Sequence, residues 1–139
     1  MDLNLWAILV AAIANLIIGS LWYSPLMFGN MWMRLMGIDP RDSSGIKKGA
    51  WKAMTFSFLG ALIMAYVMAL VVSFAGITSL INAIEVAFWL WLGFVAVTSI
   101  SSVLYEKKKV ELYIVNVIYY LVAMIAMVII ITLWRRWCL

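Results

Sequence analysis

The sequence predicts an all-α integral membrane protein, with four transmembrane helices and a short interfacial helix after the first of them. Three observations predict it. Hydrophobic residues make up 68% of the chain and charged residues only 12%, too little polar surface for a water-soluble domain of this size. The apolar residues fall in four runs, each long enough to cross a hydrocarbon core, which takes about 20 helical residues. The ten basic residues gather between and after the runs, as the orientation rule for membrane helices requires. Inside lipid the backbone has no water to bond, so runs of this length must be helical. A single membrane domain covering residues 1–139 accommodates all four.

The first span is read as Leu3 to Tyr23. Asp2 precedes it in place of a positively charged flank, and the Ala12-Ile13-Ala14 triplet lies inside the run, not after it. An uncleaved span fits better than a signal peptide. Ser24 then suits a helix N-cap and Pro25 the first helical position, where its missing N–H costs nothing. Gly37 suits a helix stop. Residues 25–36 therefore read as a separate helix of about 18 Å, too short to span. Asn30 and Arg34 lie four apart among Leu, Met, Phe and Trp residues. This places the helix in the interface with those two side chains toward water; a re-entrant placement would need burial by protein.

A polar loop, Ile38 to Gly45, leads through Lys47, Lys48 and Lys52 into the second span, Trp51 to Ala75. Gly76 to Ile81 is an uncharged turn. The third span is read as Ala83 to Leu104, with Asn82 as cap and Glu85 completing a capping box. Tyr105-Glu106-Lys107-Lys108-Lys109 separates it from the fourth, Val110 to Trp134.

Charge sets an expected orientation. Arg34, Arg41, Lys47, Lys48 and Lys52 lie between spans one and two, or at the start of two; Lys107, Lys108 and Lys109 lie between three and four. With four spans these share one side, against Arg135 and Arg136 on the other. The positive-inside rule puts the basic loops in the cytoplasm and both termini outside, in a cell (inner) membrane. Trp22, Tyr23, Trp32, Trp51 and Tyr105 would form the inner aromatic belt; Trp6, Trp134 and Trp137 the outer one. Trp89 and Trp91 lie too deep for either.

Small residues recur every four positions in the second span: Ala53, Ser57, Ala61, Ala65, Ala69 and Ser73. Ala7, Ala11, Asn15 and Gly19 make a similar row in the first. Such rows let helix backbones approach closely, the main route to association in lipid. They are expected to face protein, either each other or a second subunit.

The chemistry these residues offer is sparse. The chain has no histidine and one cysteine, Cys138, which excludes an internal disulfide and a Cys/His metal cluster. No cofactor, metal or catalytic residue is expected, and the protein is read as not an enzyme. The net charge of +4 is better explained by topology than by nucleic acid, so no nucleic-acid partner is expected. Polar groups inside the spans are the candidate ligand site: Asn15, Glu85, Asn116, Tyr119 and Tyr120. Each needs hydrogen-bond partners in lipid, found either in a neighbouring helix or in a bound solute.

Gly19-x-x-Trp22-Tyr23-Ser24-Pro25-x-x-Phe28-Gly29-x-x-Trp32 resembles the signature of the bacterial and fungal membrane proteins in domain-of-unknown-function family 1761. The stretches Ser57–Tyr66 and Ile114–Tyr119 resemble that family's second and fourth spans. The resemblance covers nearly the whole chain and implies a small four-span membrane protein with no established activity, substrate or cofactor. The family pattern often places a histidine after the tyrosine matching Tyr119; here Tyr120 stands there, so no imidazole role carries over.

Three functions fit. A homo-oligomeric channel or carrier for a small solute is favoured, since four spans enclose little space alone. An accessory subunit of a membrane complex and a lipid- or hydrophobe-binding protein are the alternatives. The expected partners are the lipid bilayer and a second copy or another membrane protein.

Overall fold

A computed structural model describes residues 3–24, 27–35, 44–105 and 109–138. Its helices are α1 (Leu5–Trp22), α2 (Gly29–Leu35), α3 (Ser44–Phe74), α4 (Leu80–Leu90), a π-helical segment (Trp91–Ala96), α5 (Val97–Ser99), α6 (Ser101–Leu104) and α7 (Val110–Cys138). Among the described residues there is no strand. Four helical stretches are long and apolar enough to cross a membrane: Leu5–Trp22, Lys52–Phe74, Leu80–Ser99 and Val110–Trp134. The chain is a multi-pass, all-α membrane protein.

Several helix ends differ from the sequence reading. Asn4 caps α1, its side-chain oxygen accepting from the N–H groups of Trp6 at 2.9 Å and Ala7 at 3.3 Å. The third span starts at Leu80 with Ser79 at the N-cap position, so Asn82 is not a cap and Glu85 lies beyond the first turn. The helix starts three residues earlier than the sequence reading placed it, which adds Leu80 and Ile81 to its apolar run, and the Ser79 side chain makes no capping bond. The interfacial helix begins at Gly29, not at Pro25. Ser24 does not cap it: its hydroxyl donates back to the Leu21 carbonyl at 2.7 Å. The Ser24 carbonyl instead accepts from Met27 and Gly29 N–H, and Phe28 N–H reaches the Trp22 carbonyl. The bonds among Trp22, Ser24, Met27, Phe28 and Gly29 thus close a tight corner before α2 forms. A Cβ on Gly29 would stand 2.5 Å from the Tyr23 carbonyl oxygen, so this corner needs glycine for the close approach of backbone to backbone. Asn30 and Arg34 of α2 are exposed. Pro25, Gly37 and the loop acids Asp39 and Asp42 lie outside the described residues, as do the side chains of Trp32 and Trp51.

The last helix is the hub. Of its membrane-crossing stretch 39% is buried, against 17% for the third span, and it packs along α1, α4 and, less extensively, α3; α1 also packs along α3. One core ties these helices together: Ile8 and Ala11 of α1; Ala65, Met68, Ala69 and Val72 of α3; Ala83 and Ala87 of α4; Met124, Met127, Val128 and Ile131 of α7. All of these lie toward the end of the bundle where α1 starts and α7 finishes. The alanines let backbones approach, and Met127, buried completely, fills the remaining space between them.

The other end, where α1 leaves and α7 begins, is built differently. The small-residue row of α3 is buried at Ala61, Ala65 and Ala69, but Ala53 and Ser57 are exposed. From Lys52 to Gly60 only Phe58 is even half-buried. The first half of α3 parts from its neighbours, and one continuous stripe serves two purposes: packing above, an open wall below. The α1 row divides too. Ala7 and Ala11 are buried, while Gly19 turns to the Tyr119 ring of α7.

Candidate functional site

Three contacts dock the end of α1 onto α7. The Trp22 indole N–H donates to the Val115 carbonyl at 3.1 Å. The Tyr23 hydroxyl donates to Asn116 Oδ1 at 2.6 Å. The Tyr119 hydroxyl donates to Asn15 Oδ1 at 2.7 Å. Rings fill the spaces between these bonds: Trp22 lies 4.7 Å from Phe28, Tyr23 meets Tyr119 edge-on at 5.5 Å, and Tyr119 lies 5.1 Å from Tyr120. In hydrocarbon each unpaired polar group would be costly, so the paired set specifies how α1 and α7 meet. Trp22 and Tyr23, expected as belt residues, thus act as helix-to-helix donors.

The spacing explains the convergence. Asn15, Gly19 and Tyr23 follow one another four apart and share one stripe of α1; Tyr113, Asn116 and Tyr120, at intervals of three and four, share one of α7. Asn15 is buried. Of the residues singled out from sequence, Asn15, Asn116, Tyr119 and Tyr120 come together here. Glu85 does not. It is exposed, on α4 toward the opposite end, away from this cluster.

Two hollows flank the cluster. The larger, about 740 Å³, is a groove between α1, α3 and α7. Asn15, Ser20, Tyr23, Tyr119 and Tyr120 give it one polar wall; Met54, Ser57, Gly60, Ala61 and Met64 form the other, mostly apolar, wall. The smaller, about 340 Å³, lies between the third span and α7 and is lined in part by Ser99, Ser101, Tyr113 and Asn116. Tyr23 and Tyr120 line both. Among the described residues no charged side chain lines either. Sequence reading missed Ser20, Ser99, Ser101 and Tyr113 as members of this region. The four-residue spacing on α1 was a signal for Tyr23; nothing comparable marked the serines.

Several polar groups keep unused capacity. The Asn116 and Asn15 amides each accept one hydroxyl, and their –NH₂ groups donate to nothing among the described residues. The Tyr120 hydroxyl likewise makes no hydrogen bond among them. The cluster therefore offers donors to a ligand that carries oxygen acceptors. Hydroxyls and amides of this kind can bind and orient a ligand.

The family described as "Protein of unknown function (DUF1761)" matches residues 6–132. Comparison with curated proteins and with solved structures finds no significant match. The match takes in nearly all of α1, the tight corner, the groove and most of α7, and the chain belongs to this family of proteins of unknown function.

Proposed function

We propose that this is a non-catalytic, membrane-embedded binding protein that admits an uncharged amphipathic molecule from one leaflet into the groove between α1, α3 and α7. The observation that carries this reading is the parting of α3 from α1, which leaves the 740 Å³ groove with one polar and one apolar wall. A lipid-like molecule would lay its chain along Met54, Gly60 and Met64. It would turn its oxygen atoms toward Asn15 and Tyr120.

The groove lies at the end of the bundle that the positive-inside rule assigns to the cytoplasm, so the ligand comes from the inner leaflet of the cell membrane. The same rule keeps both termini outside. A lipid bilayer is the main partner under this reading, and nucleic acid is not one.

A homo-oligomeric channel or carrier is the second reading. It is favoured by the sharing of Tyr23 and Tyr120 between two hollows, which side-chain rotation could join. Against it, both hollows lie at one end of the bundle, and the other end is filled by the core around Met127 and Val128. A path across would need further copies.

The test is native mass spectrometry of the purified chain after mild delipidation. Under this reading a retained lipid is lost when Ser57→Leu or Ala53→Leu fills the groove, while thermal stability holds. Equal retention by wild type and both variants rejects it. Solute flux in liposomes that stops in Asn15→Leu protein would favour the carrier, and stoichiometric co-purification of one membrane protein would favour an accessory subunit.

A further inference from the structure

The third span is broken where it meets the smaller hollow. From Trp91 to Ala96 it winds as a π-helix, with Val97 N–H bonded to the Leu92 carbonyl. At Ile100 it tightens instead: the Ile100 N–H bonds the Val97 carbonyl at 3.3 Å, one residue short of α-helical register. The Ala96 carbonyl takes the Tyr113 hydroxyl at 2.6 Å in its place. Irregular backbone at membrane depth is tolerated where it is buried in protein or lines a cavity, and π-helical turns recur at functional sites. Here Ser99 and Ser101, on either side of the break, line the hollow.

We infer that this hollow is a second binding site, adjoining the groove and sharing Tyr23 and Tyr120 with it, for the neutral glycerol-ester portion of a lipid. Three observations select that chemistry. The lining is polar but uncharged among the described residues, so a net charge would find no counter-ion. The Asn116 –NH₂ and the Tyr120 hydroxyl are donors without acceptors among the described residues. The Ser101 hydroxyl, which donates to the Thr98 carbonyl at 3.0 Å, keeps its lone pairs for a ligand hydroxyl. Ester carbonyls and a glycerol hydroxyl match that set.

Depth selects the same group. Tyr113 and Asn116 lie about 5 and 9 Å along α7 from its start at Val110, at 1.5 Å per residue. The polar zone of a bilayer extends roughly 5–8 Å outside the hydrocarbon on each side. With its start at Val110, next to Lys109, at headgroup level, α7 therefore brings Asn116 to the height of the ester linkages. A free polyol from the cytoplasm carries the same oxygens and is the alternative source.

The experiment uses the full chain in amine-oxide detergent micelles, which hold neither ester nor hydroxyl. A diazirine-bearing diacylglycerol is crosslinked and its attachment mapped by mass spectrometry. Labelling is expected at Ser99–Ser101 and Leu112–Val117, with competition by unlabelled dioctanoylglycerol and none by hexadecane. Competition by free glycerol at millimolar concentration would assign the same chemistry to a soluble polyol. Asn116→Leu should abolish site labelling. Because that change also breaks the Tyr23 bond, Tyr120→Phe is the second variant: it removes a hydroxyl with no structural partner among the described residues and should weaken competition about fivefold. Ser57→Leu should leave the labelling unchanged, which separates this site from the groove. Labels spread evenly over outward residues such as Phe56 and Phe94, competition by hexadecane, or unchanged binding in Tyr120→Phe would overturn the assignment.

Discussion

Gly19 of α1 lies directly against Tyr119 of α7: a Cβ on Gly19 would stand 2.9 Å from the Tyr119 hydroxyl oxygen. That hydroxyl is also the donor to Asn15, at 2.7 Å, so it cannot yield without losing its bond. Gly19→Ala should therefore destabilise the protein by about 1 kcal/mol, and Gly19→Val by about 2–3 kcal/mol. Thermal unfolding in detergent checks both. The mechanism has its own signature: in a Tyr119→Phe background the offending oxygen is gone, and Gly19→Ala should cost clearly less. An equal cost in both backgrounds would count against the close contact.

Tyr23 and Asn116 should be energetically coupled. Tyr23 is the C-cap of α1 and Asn116 lies in the second turn of α7, and their 2.6 Å bond ties the corner to α7. Hydrogen bonds between membrane helices contribute about 0.6 kcal/mol on average and up to about 1.7 kcal/mol. Tyr23→Phe, Asn116→Leu and the double variant, unfolded reversibly in mixed micelles, should show coupling in that range. The double variant should then be hardly worse than Asn116→Leu alone. Simple addition of the two costs would mean the pair does not act as one.

The spans were legible in the sequence because twenty consecutive apolar residues are a signal that few other structures produce. Local ends were less so. Asn82 and Glu85 have the spacing of a capping box, but that motif is worth little beside two more apolar residues placed in a helix. Ser24 and Pro25 have the pattern of a helix start, yet α2 begins at Gly29, after a corner whose bonds run from Gly29 to Ser24 and from Phe28 to Trp22. Those depend on backbone geometry and leave no mark except glycine. The candidate site was half legible. Asn15, Asn116, Tyr119 and Tyr120 stood out as polar groups in lipid and do meet. Glu85 stood out for the same reason and does not, because composition does not tell which ends of two helices lie together. Least visible was the groove: the stripe from Ala53 to Ser73 is uniform in sequence, and only tertiary packing makes its first half a wall and its middle a seam.

Glycines in the corner and in the third-dimensional open space of α3 should respond oppositely to alanine. A Cβ on Gly29 would lie 2.5 Å from the Tyr23 carbonyl oxygen and 2.7 Å from Ser24 backbone atoms. Backbone cannot swing aside as a side chain can, so Gly29→Ala should cost about 2–3 kcal/mol. A Cβ on Gly60 would meet nothing within 4 Å. Gly60 sits in mid-helix, where alanine is preferred by about 0.5–1 kcal/mol, so Gly60→Ala should raise the melting temperature. The two variants scanned side by side test the sign as well as the size.

Thr132 supplies the reverse case, a polar group whose removal should help. It is buried at 2% exposure beside the Met127–Val128–Ile131 core of α7, and its hydroxyl has no hydrogen-bond partner among the described residues. A buried hydroxyl without a partner is destabilising, whereas replacing it by an apolar group of the same shape removes the penalty. Thr132→Val keeps the branched outline and should stabilise the protein by about 1 kcal/mol. Thr132→Ser keeps the hydroxyl, loses a methyl, and should destabilise it by a similar amount. Reversible unfolding of the three proteins in the same micelles decides the matter. If Thr132→Val were the less stable variant, the hydroxyl would have to be paired, and a polar partner would have to exist within a core that is otherwise apolar around it.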